Sequence, residues 1–218
     1  MKIEFVSDVA CPWCAVGLHS LEIALARLGD AVTVDLQFQP FELNPTMPPE
    51  GAEAEAYLMR KYGIGAQQIE RNREVIRQRG ADVGFRFGDR PWVWNTFDAH
   101  RLLCWSAREG HQRELKHALL SAYHTDARNP SDVTVLLQLV GQVGLDQARA
   151  RSILESDEFA QEVRARESHY QQLGIHSVPS MIIDDRHLIQ GGQPPDVLEQ
   201  ALRKLLPQAE SLPSIVGA

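Results

Sequence analysis

Positive charge is scarce in this chain. Lysine and arginine total 22 against 29 aspartates and glutamates, for a net charge of −7. A nucleic-acid binder presents a basic face, so this composition argues against one. Long apolar runs are missing too: nothing approaches the roughly 20 residues that a membrane helix needs. The opening residues, MKIEFVSDVA, lack the apolar core of an export signal, because Glu4 and Asp8 interrupt it at once. No internal repeat or low-complexity segment stands out. The expectation is a cytoplasmic protein that engages neither nucleic acid nor membrane. Cysteine is scarce as well, at three residues in 218. A structural zinc site needs four ligands, usually from two C-x-x-C pairs. Only one such pair exists here. Cys104 with His100 is the only other cysteine–histidine pairing at ligand spacing, and it sits in an apolar helical pattern, so no metal site is expected.

What is present is ordinary globular material, with 44% hydrophobic and 23% charged residues. Residues 2–8 read as a short strand. A helical pattern follows, with Leu18, Leu21, Leu25 and Leu28 on one face and Gly29 as its stop. The run VTVDLQFQ alternates without a fault: Val32, Val34, Leu36 and Phe38 point one way, polar residues the other. The first 40 residues thus read strand, helix, strand. PFELNPTMPPEG is punctuation. Helical patterns then run from about Glu53 to Leu173, including a stripe of Leu115, Ala118, Leu119 and Ala122 and a second with Leu136, Leu137 and Val140. Ser131 and Ser156 are candidate N-caps, and Gly80, Gly110, Gly144 and Gly174 candidate stops. SMIID and HLIQ flank Asp185-Arg186 as a hairpin. QPPDVLEQALRKLL is a final helix with Leu198, Ala201, Leu202 and Leu205 inward, and the tail after Pro207 reads as loose. The order βαβ, helices, ββα gives an α/β fold, a thioredoxin-like domain from residues 1–50 and 174–218 with an all-α helical domain, 51–173, inserted.

The chemistry concentrates in VACPWCAVG, where Cys11 and Cys14 stand at i, i+3. As a staple, so small a loop stabilises by only about 2 kcal/mol in the chain-entropy view. Reducing compartments oppose it besides. A redox pair suits the position better. Cys11 falls between strand and helix, where unpaired amides and the positive helix end favour a thiolate. Pro12 suits the first helical turn. Cys14, one turn inside, is expected to be more buried and to resolve a mixed disulfide. Val178-Pro179, ahead of the SMIID strand, is the candidate docking strip for a partner's backbone.

The chain resembles the DsbA-type thiol–disulfide oxidoreductases, and among them the FrnE-like branch. The segments that carry the likeness are SDVACPWC, QPFELNP, NTFDAHRLL, SVPS and GGQPPDV. The resemblance implies a thioredoxin fold with a helical insertion, Cys11 as attacking thiol, Cys14 as resolving thiol and Pro179 as a cis-proline beside them. It implies that Pro12 and Trp13 shape the surface around the sulfur. In the related kappa-class glutathione transferases and hydroxychromene-carboxylate isomerases, the asparagine matching Asn44 lies near the site, as does the loop matching Gly192 and Gln193. The chain departs from FrnE-like proteins that carry a second cysteine pair, since it has only Cys104. HSVPSMII also differs, because relatives often place glycine before the valine and a larger residue after the proline.

Several residues carry two readings. Cys104 shares a stripe with Phe97, His100 and Ala107 and reads as packing more than as a sensor. His100 either acts near the thiols, in the interdomain cleft, or is a satisfied core histidine. Asp98, three residues after Asn95, reads as a first-turn acid. Trp92 and Trp94 either line a groove or seal the domain junction. Asp8 either opposes a Cys11 thiolate or accepts amide hydrogens in the turn. The functional expectation is dithiol/disulfide exchange with a thiol- or disulfide-bearing protein or small molecule. No bound cofactor is expected, with glutathione as a possible co-substrate; the oligomeric state is open. The rivals are a glutathione-dependent isomerase or transferase on the same scaffold, for aromatic catabolism or polyketide tailoring, and a non-catalytic binding module.

Overall fold

The computed structural model describes residues 1–206. The tail after Pro207 lies outside the described residues. Strand β1 (Lys2–Ser7), helix α1 (Pro12–Leu28) and strand β2 (Asp35–Pro40) form the opening βαβ unit. β1 and β2 are parallel, paired from Lys2↔Asp35 to Ser7↔Pro40. The second strand was expected from Val32, but pairing starts only where its partner starts. Residues before Asp35 have no β1 residue opposite them, and a short 3-10 turn, Gly29–Ala31, takes up the approach.

The insertion begins with a two-stranded ribbon, β3 (Ala52–Glu53) and β4 (Trp92–Val93), around helices α2 (Ala54–Tyr62) and α3 (Ala66–Asp82). Helices α4 (Phe97–Arg108), α5 (Gln112–His124), α6 (Val133–Gln142), α7 (Gln147–Leu154) and α8 (Ala160–Gln172) follow. The chain then returns as hairpin β5 (Ser180–Ile183) and β6 (His187–Gln190) and closes with α9 (Pro195–Leu205). The main sheet has the order β2-β1-β5-β6, with β5 antiparallel to both its neighbours. The hairpin turns through Asp184 and Asp185, both at positive φ (49° and 57°), a conformation that short polar side chains tolerate.

Strand alternation explains the two faces of the sheet. Ile3 and Phe5 point toward α1 and α9, in a core shared with Leu18, Leu21, Met181, Leu198 and Leu202. Complete burial of Leu198 and Leu202 contributes about 1.5–3 kcal/mol each. Val6 points the other way, into a smaller core with Phe41, Tyr170 and Ile175. Helix α8 covers that face. Gln39, expected on a wet side, is therefore buried, and Arg166 Nη1 donates to its Oε1 at 2.9 Å. A separate core of Leu102, Leu115, Leu119, Leu136 and Val140 fills the insertion.

The expected caps and stops hold in part. Gly110, Gly144 and Gly174 lie just past α4, α6 and α8 at positive φ (75°, 82° and 83°). Gly80 instead lies inside α3, where a Cβ would stand 2.6 Å from the Phe85 carbonyl oxygen. The caps of α6 and α7 are Asp132 and Asp146, whose carboxylates accept first-turn amides. Ser131 is held one residue earlier by Asn129, with hydroxyl and amide both on Oδ1. Ser156 donates back to the Ile153 carbonyl at 3.1 Å and caps no helix.

Candidate active site

Residues Asp8 to Cys11 make the whole turn from β1 to α1. Cys11 is the N-cap residue, with extended backbone (φ −88°, ψ 113°) and no side-chain capping bond. The first-turn amides thus lack a side-chain cap, and the positive end of the helix lies open beside the sulfur. Pro12 takes the first helical position, where its missing N–H leaves nothing unpaired. Cys11 Sγ lies 3.5 Å from the Val178 carbonyl oxygen, and Val178–Pro179 is cis. Gly17 lets α1 close on this loop: a Cβ there would stand 2.9 Å from Pro179 Cγ.

Both active-site thiols are free. Cys14 is fully buried, as expected. Burial, then the neighbouring Cys11 sulfur, pushes its pKa well above the ordinary thiol value. Cys11, the expected attacking thiol, keeps only 4% of its surface. Trp13 and Val178 pack against the cluster that holds it. Access runs through a cavity of about 1080 Å³ that Cys11 lines together with Pro12, Trp13, Asn44 and Val178. Five expected site residues therefore meet around one space. Pro179 lies just behind it. Gly192 packs on Trp13, where a Cβ would stand 3.1 Å from the Trp13 carbonyl oxygen. Gln193 is tied to its own loop through Nε2 to the Gln190 carbonyl at 2.8 Å and is not on the cavity wall. Asn44 Oδ1 accepts from the Tyr57 hydroxyl at 2.7 Å and Lys61 Nζ at 2.6 Å.

Asp8 has the second of its two readings. Its carboxylate accepts from the amides of Ala10 (3.1 Å) and Leu43 (2.7 Å) and from the Thr96 hydroxyl (2.8 Å). His100 Nε2 lies 3.3 Å away. Burial alone would raise the Asp8 pKa, but the His100 contact and the two amides outweigh it and hold the group below the ordinary carboxyl range. His100 is accordingly a core histidine behind the turn, 1% exposed and off the cavity wall.

The two tryptophans differ: Trp94 packs within the insertion, whereas the Trp92 side chain is 42% exposed. Trp94 packs edge-on to Tyr123 at 5.7 Å, and the Trp92 carbonyl accepts the Tyr123 hydroxyl at 3.1 Å. Neither lines the cavity. Asp98 opens α4 and pairs with Arg101. Cys104 is buried in the helical core, and burial pushes its pKa up to about 11.

Three participants have no motif to announce them. Lys116 on α5 is completely buried; desolvation pulls its pKa down, while the groups at Cys14, Asp8 and Cys11 oppose that pull. Its place was readable only as a face: Lys116, Leu120 and Tyr123 recur at i, i+4 and i+7 beside the expected α5 stripe. Arg90 and His124 hold the carbonyls ahead of Cys11. His124 Nε2 lies 2.8 Å from the Val9 oxygen, and Arg90 Nη1 donates to the Ala10 oxygen at 3.1 Å.

Comparison with known proteins agrees with this fold. A probable DsbA oxidoreductase from Streptomyces coelicolor, known from its crystal structure, superposes with a TM-score of 0.90 at 31% identity, covering 97% of this chain and 92% of that one. The cytosolic disulfide reductase DsbM from Pseudomonas aeruginosa, solved with GSH, shares the fold at a TM-score of 0.67 and 17% identity, over 94% of this chain and 99% of its own. The uncharacterized protein YwbO of Bacillus subtilis (strain 168) is 26% identical over 204 residues, 93% of this chain and 96% of YwbO. Residues 2–203 match the DSBA-like thioredoxin domain, and the chain belongs to that family.

Proposed function

We propose that this protein is a cytoplasmic thiol–disulfide oxidoreductase that works through Cys11 and Cys14 without a bound cofactor. The observation that carries the reading is the placement of Cys11 at the uncapped start of α1, 3.5 Å from the Val178 carbonyl, with a second free thiol one turn inside. In the forward direction the Cys11 thiolate attacks one sulfur of a substrate disulfide. A mixed disulfide forms and the first substrate thiolate leaves. Cys14 then attacks Cys11 Sγ, closing the Cys11–Cys14 bond and releasing the second substrate thiolate. The protein gives two electrons and the substrate gains them.

Cys14 must lose its proton in the second step. Burial disfavours the charged form of both groups, raising this thiol and lowering the amine of Lys116. Lys116 is the base that suits the step. Glutathione is the co-substrate that fits, as does the cytoplasm: the fold supports a cytosolic disulfide reductase from Pseudomonas aeruginosa solved with GSH.

A Cys14→Ser variant tests the reading. It should accumulate the mixed disulfide on Cys11 and lose multiple turnover, and Cys11→Ser should not react at all. Turnover of Cys14→Ser at the wild-type rate would instead support a glutathione-dependent isomerase or transferase. Client binding untouched by Cys11→Ser, with no exchange in the wild type, would support a binding module.

A further inference from the structure

The cavity beside Cys11 has walls that are mostly apolar and aromatic, among them Tyr57, Leu58, Ile69 and Tyr123. Most charges on its wall are paired. Glu53 caps α2 through the amides of Glu55 and Ala56. Glu55 and Glu70 pair with Arg73, at 3.9 Å and 3.6 Å, and Glu70 also pairs with Arg77 at 2.5 Å. Asp89 is felt by Arg77 only through its charge and, among the described residues, forms no ion pair. Arg90 is the unpaired cation of the wall: among the described residues no carboxylate lies within ion-pair distance of it.

Arg90 is nevertheless held in place. Nη1 meets the Ala10 carbonyl at 3.1 Å and His124 Nδ1 at 3.0 Å, and the guanidinium carbon stands 5.0 Å from the Tyr123 ring centre. The His124 tautomer follows from its contacts. Nε2 faces the Val9 carbonyl and must donate, so Nδ1 is free to accept from Arg90. Burial, with Arg90 beside it, keeps this imidazole well below its ordinary pKa and therefore neutral. A fixed, half-buried positive charge without an ion-pair partner thus sits on the cavity wall, bonded to the residue immediately before Cys11.

We propose that Arg90 binds substrate: the cavity takes a low-molecular-weight disulfide or thiol whose carboxylate rests on the Arg90 guanidinium while its sulfur meets Cys11. The apolar or aromatic body lies along the Tyr57 and Tyr123 side of the cavity. The inference deepens the exchange reading and rests on it. A guanidinium matches a carboxylate in geometry as well as charge. It selects among disulfides that are equally reactive at sulfur.

The test uses the reduced full chain and two aromatic disulfides, the dicarboxylate dithiobis(nitrobenzoic acid) and the neutral dithiodipyridine. The observable is the ratio of their second-order rate constants. Arg90→Gln should lower the anionic-to-neutral ratio by about tenfold or more, as the loss of a charged hydrogen-bond partner implies. Arg90→Lys should retain part of it. The wild-type ratio should also fall with added salt. Simple repulsion from a chain of net charge −7 would make it rise, so this measurement stands even if Arg90→Gln does not fold. A ratio unchanged in Arg90→Gln, with both rates falling together, makes Arg90 a strut for the Ala10 carbonyl and overturns the proposal. A wild-type ratio that rises with salt overturns it too. Failure of the wild type to react with either disulfide overturns the exchange reading, and the anchor with it.

Discussion

Replacing Asp8 with asparagine puts the largest strain on this account. One oxygen, Oδ1, takes the Ala10 amide, the Thr96 hydroxyl and the His100 contact; the other, Oδ2, takes the Leu43 amide at 2.7 Å. Asparagine has a single oxygen to offer. In the less costly orientation it keeps the Oδ1 partners and turns an NH2 group toward the Leu43 N–H. One bond to a charged acceptor is lost, worth about 1.5–3 kcal/mol, and a buried donor is left unpaired, at about 1–3 kcal/mol. The expected loss is about 3–5 kcal/mol at pH 7, a fall in Tm of roughly 6–20 °C for a chain of this size. The pH dependence has a definite sign. The folded Asp8 pKa is depressed, so its contribution is full above the unfolded value near 3.9 and is lost as pH falls through the folded value. Asp8→Asn lacks that proton, and its deficit against wild type should shrink in acid. Urea unfolding of both proteins between pH 7 and about pH 3 checks this. A deficit under about 1 kcal/mol at pH 7, or one that does not narrow in acid, refutes the role assigned to Asp8.

Gly17→Ala should destabilise by about 1–3 kcal/mol and slow alkylation of Cys11, because its methyl would press on Pro179 at 2.9 Å; urea titration and iodoacetamide kinetics read the two effects. Lys116→Met keeps the volume and removes the buried amine, so the mixed disulfide with Cys11 should persist at least about threefold longer in quenched-flow trapping. Its unfolding free energy should stay level or rise, since burying an ammonium costs more than burying a thioether. Cys104→Ala should leave exchange kinetics unaltered, and mass spectrometry should find Cys104 in the wild type unmodified by alkylating agents until the protein unfolds.

Local pattern made part of this protein legible. Alternation in VTVDLQFQ placed Phe38 against the sheet core, where its ring meets Phe5 edge-on at 5.9 Å. A C-x-x-C between a strand and a helical stripe placed Cys11 at a helix start. The hairpin at Asp185 and the inward faces of Leu198 and Leu202 followed from the same periodicities. What stayed hidden depends on distance along the chain. Asp8 finds its partners 35, 88 and 92 residues away, at Leu43, Thr96 and His100, and no spacing rule links them. Gln39 looked solvated because nothing in its own strand foretells that α8 covers that face. The cavity is a property of α2 and α3 standing opposite the reactive turn, which their sequences do not encode separately. The caps failed for a local reason: a serine next to an aspartate loses when a neighbouring asparagine captures it first, as at Ser131.

The turn ahead of Cys11 is held almost entirely by borrowed hands. Arg90, Thr96, His100 and His124 all come from the insertion, and each grips Asp8 or the carbonyls of Val9 and Ala10. Evolution can therefore retune this site by editing an insertion that supplies neither of its two cysteines. Two proteins spelling CPWC alike need not do the same work, and grafting the tetrapeptide onto a bare thioredoxin scaffold would transfer the letters without the grip that shapes them.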